Sequence, residues 1–225
     1  MCENQFERSV LLQAKMEALI TAAIDGSPVP LQRLINGKAN LDVVDSEGCT
    51  ALFKAAENGN IMCLRLLLAA KADVDTKKKN GQSVLMSAAG NGHTECVGFL
   101  IEAKADLEAK TPRGETAVMF AAGCGYADCT SLLIESKANI HKKVYTGNTA
   151  LIMACKDGHD ECARFLLQAK AEVDARNIMN STALMGAAIG GYTDCVEVML
   201  AAKASIEAKD STGVTPLMMA TESGS

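Results

Sequence analysis

The sequence predicts an all-α array of stacked helix-turn-helix units with protruding β-turn loops, and three periodic series predict it. Gly48, Gly81, Gly114, Gly147 and Gly213 lie 33 residues or a multiple of 33 apart, with Asn180 at the one position skipped. A second glycine series, Gly59, Gly92, Gly125, Gly158, Gly191 and Gly224, keeps the same step. So does a cysteine series, Cys63, Cys96, Cys129, Cys162 and Cys195. A period this strict, without one insertion, describes near-identical units stacked on one another rather than a domain closed around one core.

Each unit opens on a helix start. Two residues beyond the first glycine, or beyond Asn180, stands a hydroxyl side chain: Thr50, Ser83, Thr116, Thr149, Thr182 and Thr215. Its oxygen is suited to accept the orphan amides of a first helical turn. Pro216 falls on a first helical residue, where proline is tolerated. A short first helix follows, and Ala55-Ala56, Ala88-Ala89, Ala121-Ala122 and Ala187-Ala188 give it a small-residue face for close helix approach. The second glycine ends it. A second helix comes next, with apolar residues at helical spacing, as in Cys96, Val97, Phe99, Leu100 and Ile101. Polar stretches such as Lys104 to Lys110 then carry the chain out and back to the next unit.

These residues resemble the ankyrin repeat family, whose units carry Gly-x-Thr-Pro-Leu-His, Ala-Ala, Gly-His, paired aliphatics and Gly-Ala-Asp. The resemblance implies an ankyrin-repeat solenoid that fills nearly the whole chain: an extension at 1–11, a degenerate first unit at 12–44, full units at 45–77, 78–110, 111–143, 144–176 and 177–209, and a partial unit at 210–225. Subtracting one period locates the first unit on Leu19, Ala22, Ala23, Gly26, Leu34, Ile35 and Lys38.

Two departures from the family pattern carry physical consequences. The glycine that ends the second helix is replaced by Lys38, Lys71, Lys104, Lys137, Lys170 and Lys203. A left-handed backbone there costs about 1 kcal/mol per lysine, partly offset by about 0.3–1 kcal/mol from a cation at a helix C-terminus. The opposite ends agree, with Glu95, Asp128, Asp160, Glu161 and Asp194 in first turns. The alternative reading is a basic stripe that touches a partner. The second departure replaces the histidine of Thr-Pro-Leu-His by Phe53, Met86, Met119, Ile152, Met185 and Met218, which predicts fewer hydrogen bonds between units and more reliance on burial.

Composition narrows the function classes. Apolar residues make up 48% of the chain, yet no apolar run reaches the length of a spanning helix, so membrane insertion is not expected. Residues 1–11 lack the basic start, apolar core and cleavage site of an export signal. The net charge of -5 argues against nucleic acid as the main partner. Among nine cysteines, the five periodic ones occur once per unit. Equivalent positions in stacked helices are about 8–10 Å apart, too far for a disulfide or a zinc tetrahedron. Reduced core thiols in the cytoplasm, or the nucleus, are the expectation. Cys124, at a variable position, is the candidate exposed thiol.

No catalytic centre, cofactor or metal is expected. His93 and His159 occupy the family's Gly-His position, where the resemblance implies that the ring serves the turn. His159 lies three residues from Cys162, but each has a structural origin of its own. The glycines follow the repeat and form no phosphate-cradling loop. The run Lys77-Lys78-Lys79 reads as a solvated loop tip or, alternatively, as a contact for an acidic partner.

Function is therefore expected at the surface. The resemblance implies a concave groove lined by loop tips and first helices, where non-repeating side chains select a partner. Variation falls on Glu57 and Asn58; Lys79, Asn80 and Gln82; Arg113, Glu115 and Phe120; Tyr145, Asn148 and Met153; and Ile178, Met179 and Ile189. Interfaces draw their energy from aromatic, Met and Arg anchors, which singles out Arg113, Phe120, Tyr145, Met153, Ile178 and Met179. Ile178 and Met179 have a second reading as loop residues folded against their neighbours. A monomeric scaffold or adaptor that binds a protein partner is the expectation. Two alternatives stand beside it. One is the ankyrin part of a larger enzyme, ubiquitin ligase or channel, suggested by text that stops at Gly224 and Ser225 before a second helix. The other is a binder of anionic polymers or lipid headgroups through Lys77, Lys110, Lys143, Arg176 and Lys209.

Overall fold

A computed structural model of the chain describes residues 2–223, with side chains from 13 to 221. The first helix of each full repeat begins where the hydroxyl residue stands. Thr50, Ser83, Thr149 and Thr182 each accept the amide three residues on through their side chains, at 3.2, 3.3, 3.3 and 3.4 Å. Thr116 departs from this. It precedes a helix, but its buried hydroxyl has no hydrogen-bond partner among the described residues.

The described residues fall into two compact units, one ending at Asp106 and the other beginning at Leu107. Unit 1 holds α1 (Cys2–Ile24), α2 (Pro28–Asn36), α3 (Ala51–Glu57), α4 (Ile61–Ala69), α5 (Val84–Gly90) and α6 (Thr94–Glu102). Here α3 packs on α1, α4 and α5, while α4 also meets α2 and α6. The first helix starts inside the segment read as an extension, so residues from Cys2 onward belong to one continuous α1. Unit 2 holds α7 (Ala117–Gly123), α8 (Ala127–Glu135), α9 (Ala150–Lys156), α10 (Asp160–Gln168), α11 (Ala183–Gly190), α12 (Thr193–Ala201) and α13 (Pro216–Ser223). There α9 packs between α7 and α11, α11 also meets α13, and α10 packs between α8 and α12. No strand is present among the described residues, only an isolated antiparallel bridge between Lys77 and Ser83.

The alanine pairs are buried in every unit that carries them, which lets first helices approach closely. Leu52, Leu64, Leu67, Leu85 and Leu100 fill unit 1, and Leu133, Leu151, Leu166 and Leu184 fill unit 2. Each such side chain contributes about 1.5–3 kcal/mol through burial. Phe53, Met86, Met119, Ile152 and Met185 are buried too, as the oilier packing requires, whereas Met218, the sixth of the series, is 52% exposed. Two of the methionines also take a hydrogen bond, but within their own unit and not between units. The amides of Ser83 and Thr182 donate to the sulfurs of Met86 and Met185, both at 3.4 Å.

The lysines that replace glycine adopt the left-handed conformation, with φ of 55° at Lys38, 64° at Lys71, 68° at Lys104, 71° at Lys137, 66° at Lys170 and 61° at Lys203. Asn180 does the same at the skipped glycine, with φ of 55°. Asparagine tolerates this region better than most residues, so the period survives without a glycine.

Candidate functional site

The expected anchors all lie in unit 2, and its hairpin tips are closed by their own side chains. Thr111 Oγ1 accepts from the amides of Arg113 and Glu115, both at 3.2 Å. Asn177 Oδ1 accepts from Met179 and Ser181, both at 2.9 Å. Asp210 Oδ1 accepts from Thr212 and Val214 at 2.8 and 2.9 Å. The Thr212 hydroxyl and the surrounding amides hold the Asp210 carboxyl below its usual value. At the remaining tip Val144 offers no side-chain acceptor. Asn148 Oδ1 instead takes a hydrogen bond from Asn177 Nδ2 at 2.9 Å, tying that hairpin to the next.

Backbone bonds then join tip to tip. Tyr145 N donates to Arg113 O at 3.0 Å, Ile178 N to Thr146 O at 3.0 Å, and Ser211 N to Met179 O at 2.9 Å. The ladder brings Arg113, Tyr145, Ile178 and Met179 together on adjoining tips. Tyr145 is 79% exposed, Ile178 68% and Met179 56%, and Arg113 is exposed as well. Ile178 and Met179 thus present their side chains to solvent instead of folding against neighbours. Phe120 and Met153 are placed differently, half-buried on α7 and α9. The Met153 methyl covers the end of α7, 3.2 Å from where a Cβ on Gly123 would stand. Ile189 at the end of α11, a variable position outside the six anchors, is 53% exposed.

Other features are structural. The His93 ring bonds Glu57 O at 3.0 Å and lies over Gly59, which a Cβ would bring to 2.5 Å from the ring. His159 covers Gly125 and the Tyr192 ring covers Gly158 in the same way. Asn60 does this work with its amide, donating to Ala23 O and Ile24 O at 2.8 Å. Cys162 makes a poor nucleophile. It is buried, which pushes its thiol up, and it accepts from Thr130 Oγ1 at 3.6 Å. Burial pushes Cys49 up to about 11. Cys124 is exposed, with its thiol raised by partial burial and then by Asp157.

Two clusters escaped the sequence reading. Lys54 is ringed by Glu57 at 2.9 Å and by Asp45 and Glu47 at 3.8 Å. Burial pulls its ammonium down, but the hydrogen bond to Glu57 and the nearby Cys49 and carboxylates outweigh this and leave it raised. Lys78 belongs to the same neighbourhood, 3.8 Å from Glu57 and 5.4 Å from the Phe53 ring centroid, so the lysine run is not a purely solvated tip. The second cluster is a thiol pair. Cys155 bonds Cys195, and that bond together with burial holds the Cys155 proton. Only the periodic cysteines and Cys124 drew attention in the sequence. The missed signal was Cys155 standing where Ala122 and Ala188 stand in other buried alanine pairs.

An apolar depression of about 380 Å³ lies among α11, α12 and α13, lined by Leu184, Val196, Leu200, Ile206 and Leu217 among others. No titratable side chain among the described residues lines it. Leu217 is 74% exposed there, whereas Leu184 and Leu151, one and two periods earlier, are 2% and 1% exposed.

The family of ankyrin repeats, described in a three-copy form, matches this sequence over residues 19–111, 85–177 and 171–225. The chain belongs to the ankyrin repeat family. Two solved ankyrin structures bear the fold out. The human ASB11 ankyrin repeat domain has a TM-score of 0.83 at 25% identity, with 90% of each chain covered. The ankyrin repeat domain of Bcl-3, described as a unique member of the IkappaB protein family, has a TM-score of 0.78 at 27% identity, covering 90% of this chain and 92% of its own. No curated protein matches the chain in sequence. Ankyrin repeats are in general protein–protein interaction modules. No helix among the described residues is long and apolar enough to cross a membrane.

Proposed function

We propose that the chain is a non-catalytic scaffold or adaptor that binds a protein partner through the hairpin tips and first-helix faces of unit 2. The observation that carries this reading is the ladder of tips on which Tyr145, Ile178 and Met179 stand exposed while their backbones are fixed. Apolar side chains held this way lose little freedom on binding, so more of their burial energy appears as affinity. Arg113 supplies a planar cation beside them, and Phe120 and Met153 extend the apolar surface onto α7 and α9. The buried free thiols suit a reducing compartment, and the cytoplasm is the proposed location, with the chain acting as a monomer and without nucleic acid. Affinity capture from a lysate, compared between the native chain and a Tyr145→Ala plus Met153→Ala variant, tests the reading. A partner retained by the native chain and reduced about thirtyfold by the variant, the scale of a hot-spot loss, is the expected result. Equal capture of the same proteins by both contradicts it.

A further inference from the structure

We infer that the segment recognised at the unit 2 tips is an acidic peptide with an apolar side chain at about every third position. This rests on the reading of these tips as a protein-binding surface.

Charge is the first ground. The hairpin segments 109–116, 142–149 and 175–182 carry Lys110, Arg113, Lys142, Lys143 and Arg176 against a single carboxylate, Glu115, in a chain whose net charge is -5. Glu115 is half-buried and accepts from Thr111 Oγ1 at 2.8 Å. Lys142 is neutralised by Glu108. The other four cations are exposed and form no salt bridge among the described residues. Lys143 Nζ donates to Arg176 O at 3.1 Å, and Arg176 donates to Lys209 O at 2.8 Å. These bonds orient the cations along the ladder, yet a neutral carbonyl leaves their charge uncompensated. A strip of positive potential therefore flanks Tyr145, Ile178 and Met179, and an acidic segment complements it.

Spacing is the second. Stacked helices stand about 8–10 Å apart, and backbone bonds join each of these tips to the next; tips that keep the helix step recur at that interval. An extended or polyproline-like peptide advances about 3.1–3.3 Å per residue, so it covers one tip in about three residues. Apolar residues at that interval meet Tyr145 and then Ile178 with Met179, and acids between them face the cations. A polyphosphate has no use for the exposed Ile178 and Met179, which an apolar side chain of a peptide would cover.

The test is fluorescence anisotropy of the whole chain with three labelled peptides of about twelve residues: repeated Leu-Asp-Glu, repeated Leu-Lys-Lys, and the acidic composition with its leucines clustered. Single-stranded RNA and phosphatidylserine vesicles are further probes. Repeated Leu-Asp-Glu is expected to bind tightest. Arg113→Glu plus Lys143→Glu, and separately Tyr145→Ala plus Ile178→Ala, are each expected to weaken it about tenfold or more, with unchanged circular dichroism. If Leu-Lys-Lys binds as well and is still weakened by Tyr145→Ala plus Ile178→Ala, the acidic inference is overturned while the protein-binding reading stands. Binding of RNA or vesicles that depends on the cations, ignores the apolar variant and outcompetes the peptides overturns both. Equal affinity for clustered and periodic leucines overturns the spacing.

Discussion

A lysine in a glycine's conformation recurs six times, and its cost is local to the backbone. At Lys104 and Lys170, with φ of 68° and 66°, a Cβ sits in a region that only glycine enters freely. Lys104→Gly and Lys170→Gly are each expected to raise stability by up to about 1 kcal/mol in chemical denaturation, less what the cation contributes at the helix end. A lowered melting temperature in both variants would show the dipole term to be the larger. Cys124 supplies a second residue-level expectation. It is the one exposed thiol among the eight described cysteines, and Asp157 disfavours its thiolate. Peptide mapping after brief iodoacetamide treatment is expected to find Cys124 modified ahead of the other seven, and Asp157→Asn is expected to speed it. Modification of Cys63 or Cys162 first would contradict the burial described. At this scale the sequence was informative where one residue type answers one backbone demand, as with Gly48 or Asn180. It was silent on Cys155, whose partner Cys195 comes from another helix.

Caps and hairpins were legible to the extent that they are local. Thr149 caps α9 through its hydroxyl, whereas Thr116, identical in register, leaves its own hydroxyl buried and unpartnered. Thr149→Val is expected to cost about 1 kcal/mol. Thr116→Val is expected to be neutral or stabilising, because it removes an unsatisfied polar group. Equal losses, read from paired urea unfolding curves, would mean that both hydroxyls cap. The tip closures at Thr111, Asn177 and Asp210 escaped the sequence reading, since each sits before its tip and only the fold shows two amides converging on it. Lys54 was hidden for a similar reason: Asp45 and Glu47 meet it only after the hairpin folds onto α3. Asn177 both closes the tip that carries Ile178 and Met179 and bonds Asn148. Asn177→Ala is expected to speed amide exchange at Met179 and Ser181 and to weaken partner binding several-fold, though it removes no anchor. Unchanged exchange at both amides would show the tip to be held by its backbone ladder alone.

At the scale of the molecule, the fold followed from one period because a repeat repeats its evidence. An unclear position such as Asn180 is corrected by five clear ones. Partner choice has no such redundancy. Arg113, Tyr145, Ile178 and Met179 were picked as breaks in the pattern, and the structure places them on adjoining tips. Phe120 and Met153 were picked by the same rule but are half-buried, because in a helix a variable position can still face a packed neighbour. The central claim is that partner recognition belongs to the tips of unit 2. Hydrogen–deuterium exchange of the whole chain, with and without a captured partner, addresses it most directly. Protection concentrated in residues 111–116, 144–149 and 177–182 is expected. Protection confined to α8, α10 and α12, or to unit 1, with those tips unchanged, would contradict it.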